Sequence, residues 1–512
     1  MEFMNAMQNE LNKEKTLTTN GAVAYRTSGK KLLDFNFAIS ALRNESEFNI
    51  ANLFAQVFYE DKMTAIKFLF YLGDVRGGLG ERRTFRICMK WLAESNPEIT
   101  KKILELIPEY TRWDNLIFLV ETKQVGNDVV KIIRAQLFED SANMENDDCI
   151  SLLAKWMPSA NSNSKEKRRL GLRMAKELEM SERDYRKMLS SFRRYLDIVE
   201  IKMSQNKWDE IKYESVPSKA NLRYNKAFLK HDEERRRSYL DSLRKGETKI
   251  NANVLYPHEI VSKYLQKNAW GYSTGGTKDM DDTLEEMWKS LPNMSIENTL
   301  VVRDGSGSMF AGSYSNVNPI DVSTALAIYM SEHNTGEWKD KFITFSANPK
   351  IVNLSKCSTL KEKIDLSMCE TEASNTNIYK TMKLILDTAI NNCMTQEEMP
   401  KTIVICSDMQ FDGRLHKLNQ SLFDDIALEY ETHGYKLPKI CFWNLDAKKS
   451  NSVPMQQNEM GLVLCSSFST QVLKMFMSGQ TDPYKCLLEQ LNDVRYKPVE
   501  EAIESVIDYE PF

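Results

Sequence analysis

The chain has 512 residues, a formal charge of -4 and hydrophobic residues at 42% of its length. This length exceeds the usual domain size of about 100 to 200 residues, so we expect two or three domains rather than one. The balance of apolar and charged residues is that of a globular protein and excludes a disordered chain, collagen and a coiled rod. No stretch approaches the roughly 18 consecutive apolar residues of a membrane span, which predicts a protein outside the membrane.

The nine cysteines and five histidines are scattered along the sequence. No two cysteines have CxxC spacing, and no histidines have HxxxH or HxH spacing, so neither a zinc site nor catalysis by histidine is expected. We interpret the cysteines as reduced thiols, several of them in apolar runs, which is typical of a reducing compartment. The sequence therefore predicts a cytoplasmic protein.

Residues from Leu32 to about Trp288 have a helical pattern, in which apolar side chains return every three or four positions. Ile66, Leu69 and Phe70 show this spacing, and breaks that contain Pro or Gly divide the stretch into segments of helical length. The pattern predicts an antiparallel α-helical repeat array of the HEAT type. Strand signals are nearly absent before residue 291.

After Leu291, short β-rich runs alternate with helical ones. The strand candidates are Thr299–Arg303, Lys341–Ser346, Thr402–Ser407, Lys439–Asn444 and Gly461–Ser466, and the helix candidates are Pro319–His333, Asn377–Asn392, Leu422–Gly434 and Phe468–Ser478. Buried strands that alternate with helices predict a doubly wound α/β domain with a mostly parallel sheet. We therefore divide the chain into a helical module at 1–290, an α/β domain at 291–480, and a C-terminal helix with an acidic tail at 481–512.

Polar side chains follow the first predicted strand at its carboxyl end, where open α/β sheets place their ligand sites. Asp304, Ser306 and Ser308 form a DxSxS motif in a glycine-containing loop, so three oxygen side chains can face one point. Hard divalent cations prefer such ligands, and Mg²⁺ needs about six oxygens. Thr376, after a polar loop, and Asp408, after a central strand, can supply more of them. This order of residues is the pattern of a metal-ion-dependent adhesion site.

Residues 295–480 resemble a von Willebrand factor A domain, because all five ligand positions occur in order at strand ends or loops. The resemblance implies that Ser306, Ser308 and Thr376 contact a metal through their hydroxyl groups. Asp304 and Asp408 would hold that metal directly or through water. The implied cofactor is Mg²⁺ or another divalent cation such as Mn²⁺ or Ca²⁺, and one coordination position would remain for a carboxylate of a protein partner.

The first half of the chain resembles the helical module of an uncharacterised viral and cellular family that pairs this module with an A domain. The resemblance rests on the segments NGAVAYRTSGKKLLDFNFAISALR, FYLGDVRGGLGERRTFR, YTRWDNLIF and LLAKWMPSANS. More distantly, the pairing is similar to the TROVE domain plus A domain of the Ro RNA-binding proteins, in which a ring of helices binds small structured RNAs and RNA ends. This implies a ribonucleoprotein that binds small structured or misfolded RNA, in the host cytoplasm if the chain is viral.

Basic residues of the helical module are the candidate RNA contacts. Residues 161–250 contain 24 Lys and Arg against 15 Asp and Glu, which indicates an anionic partner, unless these charges are solvated helix faces. Glycine at Gly77-Gly78 allows close backbone approach, and arginine contacts phosphate in a bidentate way. Tyr185, Phe192 and Tyr195 are available for base stacking, although core packing is the commoner use. The RNA-binding candidates are Arg76, Arg82, Arg83, Arg168, Arg169, Arg173, Arg186, Lys187, Arg193 and Arg194.

Three interpretations of function follow. The first is a non-enzymatic scaffold of the Ro type, whose helical module binds RNA and whose A domain binds a protein carboxylate through the metal. The second is a protein assembly factor that uses the metal site without RNA, and salt dependence with RNA competition separates the two. The third is a metal-dependent hydrolase, disfavoured because neither a second metal cluster nor a general base stands beside the DxSxS motif. We therefore expect no enzyme, and the sequence leaves the oligomeric state open.

Overall fold

The computed structural model describes residues 15–17, 23–310, 317–346, 348–372, 378–409, 422–445, 462–467, 469, 472 and 482–507. They form two compact units, each drawn from two separate stretches of the chain. The helical unit comprises the described residues of 61–251 and 493–512, and the α/β unit comprises those of 1–60 and 252–492. This division differs from the predicted serial order, because the start of the chain joins the sheet and its end joins the helices.

The first half of the described chain is helical, as the apolar periodicity predicts, apart from a short antiparallel strand pair at its start, β1 (Lys15–Leu17) and β2 (Val23–Tyr25). The first two helices belong to the α/β unit and the following ones to the helical unit. In chain order they are α1 (Lys31–Leu42), α2 (Glu47–Glu60), α3 (Lys62–Gly73), α4 (Arg82–Ser95), α5 (Pro97–Ile103), α6 (Ile107–Tyr110), α7 (Trp113–Ile117), α8 (Gly126–Glu145), α9 (Leu153–Trp156), α10 (Lys165–Glu177), α11 (Glu182–Tyr195), α12 (Val199–Ser204), α13 (Ser218–His231) and α14 (Glu233–Arg244).

The longer helices of the helical unit form because their apolar residues fall on one face. On α4, Phe85, Cys88 and Leu92 are fully buried, whereas Arg82 and Lys90 on the same helix are exposed. Spacings of three and four residues place the buried side chains in one stripe along the helix. This stripe is the signal by which the sequence predicts the helix.

A β-hairpin that the sequence pattern missed lies between α15 (Pro257–Tyr264) and α16 (Asp282–Lys289). Its strands are β3 (Leu265–Lys267) and β4 (Ser273–Thr277), which pair antiparallel. The segment STGGT has weak strand propensity, so nothing local predicts it. Tertiary contacts define the hairpin instead, because the buried Ser273 hydroxyl donates to Asp321 Oδ1 at 2.6 Å.

The α/β unit is built on a six-stranded sheet with the order β10-β9-β8-β5-β6-β7. All neighbouring strands in it are parallel except β6 and β7. The chain runs outward from β5 in both directions, which is the predicted doubly wound topology, with one antiparallel edge strand, β7, that was not predicted. The strands are β5 (Thr299–Asp304), β6 (Lys341–Phe345), β7 (Ile351–Asn353), β8 (Thr402–Ser407), β9 (Lys439–Asn444) and β10 (Leu462–Ser466).

The helices of the second half alternate with these strands. Three of them agree with their predicted bounds within two residues, and α19 was not predicted. The helix predicted at Phe468–Ser478 falls almost entirely outside the described residues. The helices are α17 (Gly307–Phe310), α18 (Pro319–Glu332), α19 (Leu360–Cys369), α20 (Ile378–Asn391), α21 (Leu422–Thr432) and α22 (Pro483–Leu491).

Helix α1 packs against the carboxyl ends of β9 and β10. The backbone N–H of Ser40 donates to Ser466 Oγ at 2.9 Å, and Asn444 Nδ2 donates to the carbonyl oxygen of Phe37 at 2.9 Å. Both bonds are buried, so they hold the first helix at this edge of the sheet. They explain why the start of the chain belongs to the α/β unit.

The described chain ends in helix α23 (Lys497–Ile507), which belongs to the helical unit. Val499 and Ile503 are buried, and Glu500 forms an ion pair with Lys67 at 2.8 Å. The structure therefore differs from the predicted C-terminal helix with an acidic tail at 481–512, because the acidic residues share a second, amphipathic helix. The last five residues lie outside the described part. No described helix is both long and apolar enough to cross a membrane.

Candidate functional site

The DxSxS motif lies at the carboxyl end of β5, where the sheet order reverses. Asp304 is fully buried. Its Oδ1 accepts the backbone N–H of Ser306 at 2.9 Å, and its Oδ2 accepts the Ser407 hydroxyl at 2.5 Å. The hydroxyl oxygens of Ser306 and Ser308 lie 3.0 Å apart. The structure thus brings the oxygens of the motif together with the end of β8.

Two carboxylates influence each other at this edge of the sheet. Asp304 and Asp408 are both buried. Burial, followed by the negative charge of Asp408, raises the pKa of Asp304 well above its usual range, although hydrogen bonds from Ser407 and Ser306 oppose the shift. Like charges in a desolvated site repel each other, so a bound cation would stabilise the ionised pair.

The predicted ligands of this site fit a hard divalent cation. They are carboxylate and hydroxyl oxygens, which Mg²⁺ prefers over sulfur or nitrogen ligands. Within the described residues, no three His, Cys, Asp or Glu side chains come close enough to hold a metal, so a cation at this edge depends on hydroxyl groups and water as well. Thr376, the remaining predicted ligand, lies outside the described residues.

A buried arginine beside the motif is a feature that the sequence reasoning missed. Arg303 is 1% exposed. Its guanidinium donates to Thr324 Oγ1 at 3.1 Å, to the carbonyl oxygen of Ser367 at 2.9 Å and to Thr371 Oγ1 at 2.8 Å. Burial lowers the pKa of Arg303 to about 10. These bonds connect β5 to the stretch that leads toward Thr376. The sequence indicates a buried arginine here only by a single charged residue at the end of the apolar run TLVVR.

One predicted RNA contact, Arg193, is used inside the helical unit. Its half-buried guanidinium donates to the carbonyl oxygen of Ala154 at 2.8 Å, to Ser159 Oγ at 2.8 Å and to the carbonyl oxygen of Met157 at 2.6 Å. Burial lowers the pKa of Arg193. The side chain therefore fixes the backbone at the end of α9, and its donors bond to protein atoms rather than to an outside ligand.

Two of the three aromatic side chains considered for base stacking are buried. Tyr185 and Phe192 are buried in the helical unit, and the Tyr185 hydroxyl donates to the carbonyl oxygen of Pro158 at 2.8 Å. Tyr195 is half-buried, and its hydroxyl donates to the carbonyl oxygen of Asp148 at 2.8 Å. Stacking by Tyr185 and Phe192 is therefore corrected to core packing, because their rings have no solvent-facing side.

The Gly77-Gly78 turn is packed against the helical unit itself. A Cβ atom on Gly78 would lie 2.0 Å from the carbonyl oxygen of Tyr71, and one on Gly77 would lie 2.7 Å from Cδ of Arg495. Arg495 in turn pairs through two nitrogens with the buried Asp74. The prediction that a ligand approaches this backbone is therefore wrong. Glycine is needed here because atoms of the protein itself occupy the space that a side chain would take.

The other predicted basic residues are exposed, although some have acidic neighbours. Arg169 pairs with Glu121 at 2.9 Å, and the Arg173 guanidinium lies 3.6 Å from Glu177. Helices α10 and α11 thus present a basic surface that is partly neutralised by ion pairs. The exposed set is Arg76, Arg82, Arg83, Arg168, Arg169, Arg173, Arg186, Lys187 and Arg194.

Helix α13 carries a basic stripe that the site prediction did not include. Lys219, Arg223, Lys226 and Lys230 are all exposed, and the helix contains no Asp or Glu. Residues three or four apart lie on one face, so the four cations form a line about 16 Å long, which we call the α13 stripe. Among the described ion pairs, none involves Lys226 or Lys230. The signal in the sequence is the spacing i, i+4, i+7, i+11.

These features define a protein with a helical unit and a doubly wound α/β unit, the latter with buried carboxylate and hydroxyl groups at the carboxyl edge of its sheet. The chain belongs to the family described as "Domain of unknown function (DUF2828)", whose model matches residues 18–108 and 123–297. Residues 298–505 match a second family model, described as "Domain of unknown function (DUF7788)". Together the two models follow the change from helices to sheet along the sequence.

One relative is the uncharacterized protein L728 of Acanthamoeba polyphaga mimivirus. The two sequences are 30% identical over 524 residues, which cover 94% of this chain and 88% of the relative. The predicted relationship to an uncharacterised viral protein is therefore confirmed. Among solved structures, the Ro (RSR) protein of Deinococcus radiodurans is similar over 85% of this chain and 92% of that chain, with 11% identity and a TM-score of 0.43. An identity and a score this low support no transfer of function.

Proposed function

We propose that this protein is a non-enzymatic RNA-binding scaffold of the Ro type. The helical unit would bind small structured or misfolded RNA, and the α/β unit would bind a protein partner through a divalent cation. The α13 stripe carries the RNA part of this proposal, because four aligned cations without an acid on the same helix suit a row of backbone phosphates. Phosphate contacts are independent of base sequence, so RNA shape rather than sequence would select the ligand.

Helices α10 and α11 would extend the proposed RNA face. Arg168, Lys187 and Arg194 are exposed on or beside these helices. Arg169 and Arg173 would have to exchange a carboxylate for a phosphate, which lowers their net contribution. We therefore expect the lysines of the α13 stripe to contribute most to RNA affinity.

The metal part of the proposal rests on the motif of the von Willebrand factor A type. Asp304 and Asp408 would hold the cation directly or through water, while Ser306, Ser308 and Thr376 would contact it by hydroxyl. The cation, Mg²⁺ or another divalent ion such as Mn²⁺ or Ca²⁺, would supply an open coordination position for a carboxylate of the partner. The repulsion between the two buried carboxylates supports this assignment, since a cation relieves it.

A salt titration tests the RNA part. The purified full chain is titrated with a structured RNA and with a single-stranded control, from low to physiological salt. We expect log K to fall linearly with log salt, with a slope of about -0.7 to -0.9 per contacted phosphate, and tighter binding of the structured RNA. The absence of binding even at low salt would reject the RNA function.

A second candidate is a protein assembly factor that uses the metal site without RNA. The Asp304 and Asp408 pair favours it, because this pair belongs to the α/β unit and does not depend on the basic face. Partner binding that requires Mg²⁺ and is unaffected by RNA, in a protein that fails the salt titration, would select this function. A metal-dependent hydrolase ranks third, and we assign no catalytic residue to it. For either function we propose the reducing cytoplasm, where nine free cysteines can persist.

A further inference from the structure

Three arginines of the helical unit surround one carboxylate. Asp114 Oδ1 accepts Nε of Arg112 at 3.0 Å, and its Oδ2 accepts NH2 of Arg112 at 3.0 Å. Arg82 pairs with the same Oδ2, and NH2 of Arg86 lies 3.1 Å from it. We call Arg82, Arg86, Arg112 and Asp114 the arginine cluster.

Further contacts hold two of these guanidinium groups in place. Arg86 donates to Asn115 Oδ1 at 2.7 Å and to the carbonyl oxygen of Asp114 at 2.6 Å. Arg112 stacks on the Trp156 ring, 4.1 Å from its centroid. The Arg86 and Arg112 side chains are 27% and 30% exposed, so each still reaches solvent. Because they are already ordered, an anion that binds them loses little affinity to side-chain ordering.

The cluster carries more positive charge than its own carboxylate balances. Asp114 is the acid in direct contact, and Glu166 acts on Arg86 more weakly than Asp114 does. Burial, followed by the charge of Arg82, lowers the pKa of Arg86 to about 10. Helix α4 begins with Arg82 and Arg83, and its first turn contains no acid, although the buried Glu81 stands at its N-cap without a side-chain capping bond. The N-terminus of a helix favours anions and disfavours cations, so it adds to the unbalanced positive charge of the arginines. A further anion would therefore stabilise this arrangement.

We infer that the arginine cluster binds the phosphomonoester group of a small molecule, either inorganic phosphate or a nucleotide. A phosphomonoester presents three oxygens and nearly two negative charges, which can meet several guanidinium groups at one point. A backbone phosphodiester has one charge and suits a line of cations such as the α13 stripe. Arg82, predicted as an RNA contact, belongs to this cluster, and the inference does not depend on RNA binding.

Calorimetric titration of the full chain tests the inference, with inorganic phosphate and adenosine monophosphate as probes at constant ionic strength. At about pH 7.5 we expect at least one probe to bind with a Kd at or below about 1 mM. Binding should weaken at about pH 5, where the phosphate loses its second charge. Binding of both probes identifies phosphate itself as the recognised group, and binding of adenosine monophosphate alone identifies a nucleotide.

Variants assign the binding to the cluster. Arg112→Gln should weaken it by about tenfold or more, because one ordered guanidinium is lost. Arg82→Gln should have a similar effect. The Arg82 side chain is 49% exposed, so we expect this substitution to leave the fold intact, and an unchanged midpoint of thermal unfolding would verify this. The matched control is Arg237→Gln, because Arg237 pairs with Glu233 on α14 at 2.9 Å outside the cluster. This control should bind as the unsubstituted protein does.

Three results would overturn the inference. The first is no binding of either probe up to about 10 mM, and the second is binding that Arg82→Gln and Arg112→Gln leave unchanged. The third is binding confined to RNA with a 5′-phosphate, which would assign the cluster to an RNA end. Failure of the RNA salt titration alone leaves the inference intact, since its probes are small molecules.

Discussion

The substitution Arg193→Ala removes three hydrogen bonds from the helical unit. The guanidinium donates to Ala154, Ser159 and Met157 over distances of 2.6 to 2.8 Å. Hydrogen bonds to a charged group contribute about 1.5 to 3 kcal/mol each, and a buried acceptor that loses its partner adds a further cost. Water replaces part of these bonds at a half-buried site, so we expect the free energy of unfolding to fall by about 2 to 4 kcal/mol.

The neighbouring substitution Arg194→Ala is the matched control, because Arg194 is exposed and its replacement should change stability by about 0.5 kcal/mol or less. Urea unfolding followed by far-UV circular dichroism gives the midpoint for both variants. Arg194→Ala should keep the midpoint and weaken RNA binding. Equal unfolding midpoints for the two variants, with RNA binding lost in Arg193→Ala, would refute the internal role of Arg193 and show that Arg193 contacts RNA.

Three further variants test the RNA face, the metal site and the packing of the helical unit separately. Lys226→Gln combined with Lys230→Gln should reduce the salt slope of RNA binding by about 1.4 to 1.8, which corresponds to two phosphate contacts. Asp304→Asn should abolish calorimetric Mg²⁺ binding, because it removes one of the two buried carboxylates. Gly78→Ala should lower the unfolding free energy of the helical unit by more than about 2 kcal/mol, since its Cβ would lie 2.0 Å from the carbonyl oxygen of Tyr71.

Each of these tests has a control substitution elsewhere in the chain. Arg237→Gln should leave the salt slope unchanged. Asp387→Asn, at an exposed ion pair with Lys383, should leave Mg²⁺ binding unchanged. Gly307→Ala, where a Cβ meets no atom within 4 Å, should leave stability unchanged. If the double lysine variant behaves like its control, the α13 stripe is not part of the RNA face. If Asp304→Asn behaves like its control, Asp304 is not a metal ligand. If Gly78→Ala behaves like its control, Gly78 has no packing role.

The sheet can be predicted from the sequence because its central strands are continuous apolar runs. Thr402–Ser407 and Lys439–Asn444 have the predicted bounds, since nearly every position in them is buried. The docking of α1 cannot be predicted in this way. One of the bonds that hold it joins Ser40 to Ser466, 426 positions apart, and no local pattern in the sequence indicates such a contact. The β3–β4 hairpin was missed for a similar reason, because Asp321 rather than strand propensity stabilises it.

The candidate sites also differ in whether local sequence or tertiary structure determines them. Asp304, Ser306 and Ser308 come together because a short loop sets their geometry, and a short loop can be read from the sequence. Arginines differ, because each guanidinium has five donors and only the tertiary structure decides where they point. The inward orientation of Arg193 and Arg303 could therefore not be predicted from the sequence. The α13 stripe, in contrast, was predictable, because its regular spacing on one helix is a local property.

Ultraviolet crosslinking identifies the residues that contact RNA. A structured RNA is bound to the full chain and crosslinked, and the modified peptides are identified by mass spectrometry. We expect crosslinks in the segments Lys165–Glu177, Glu182–Tyr195 and Ser218–His231, and fewer of them in the Lys226→Gln and Lys230→Gln double variant. Crosslinks confined to residues 252–492, or none at a salt concentration where binding is measured, would contradict an RNA face on the helical unit.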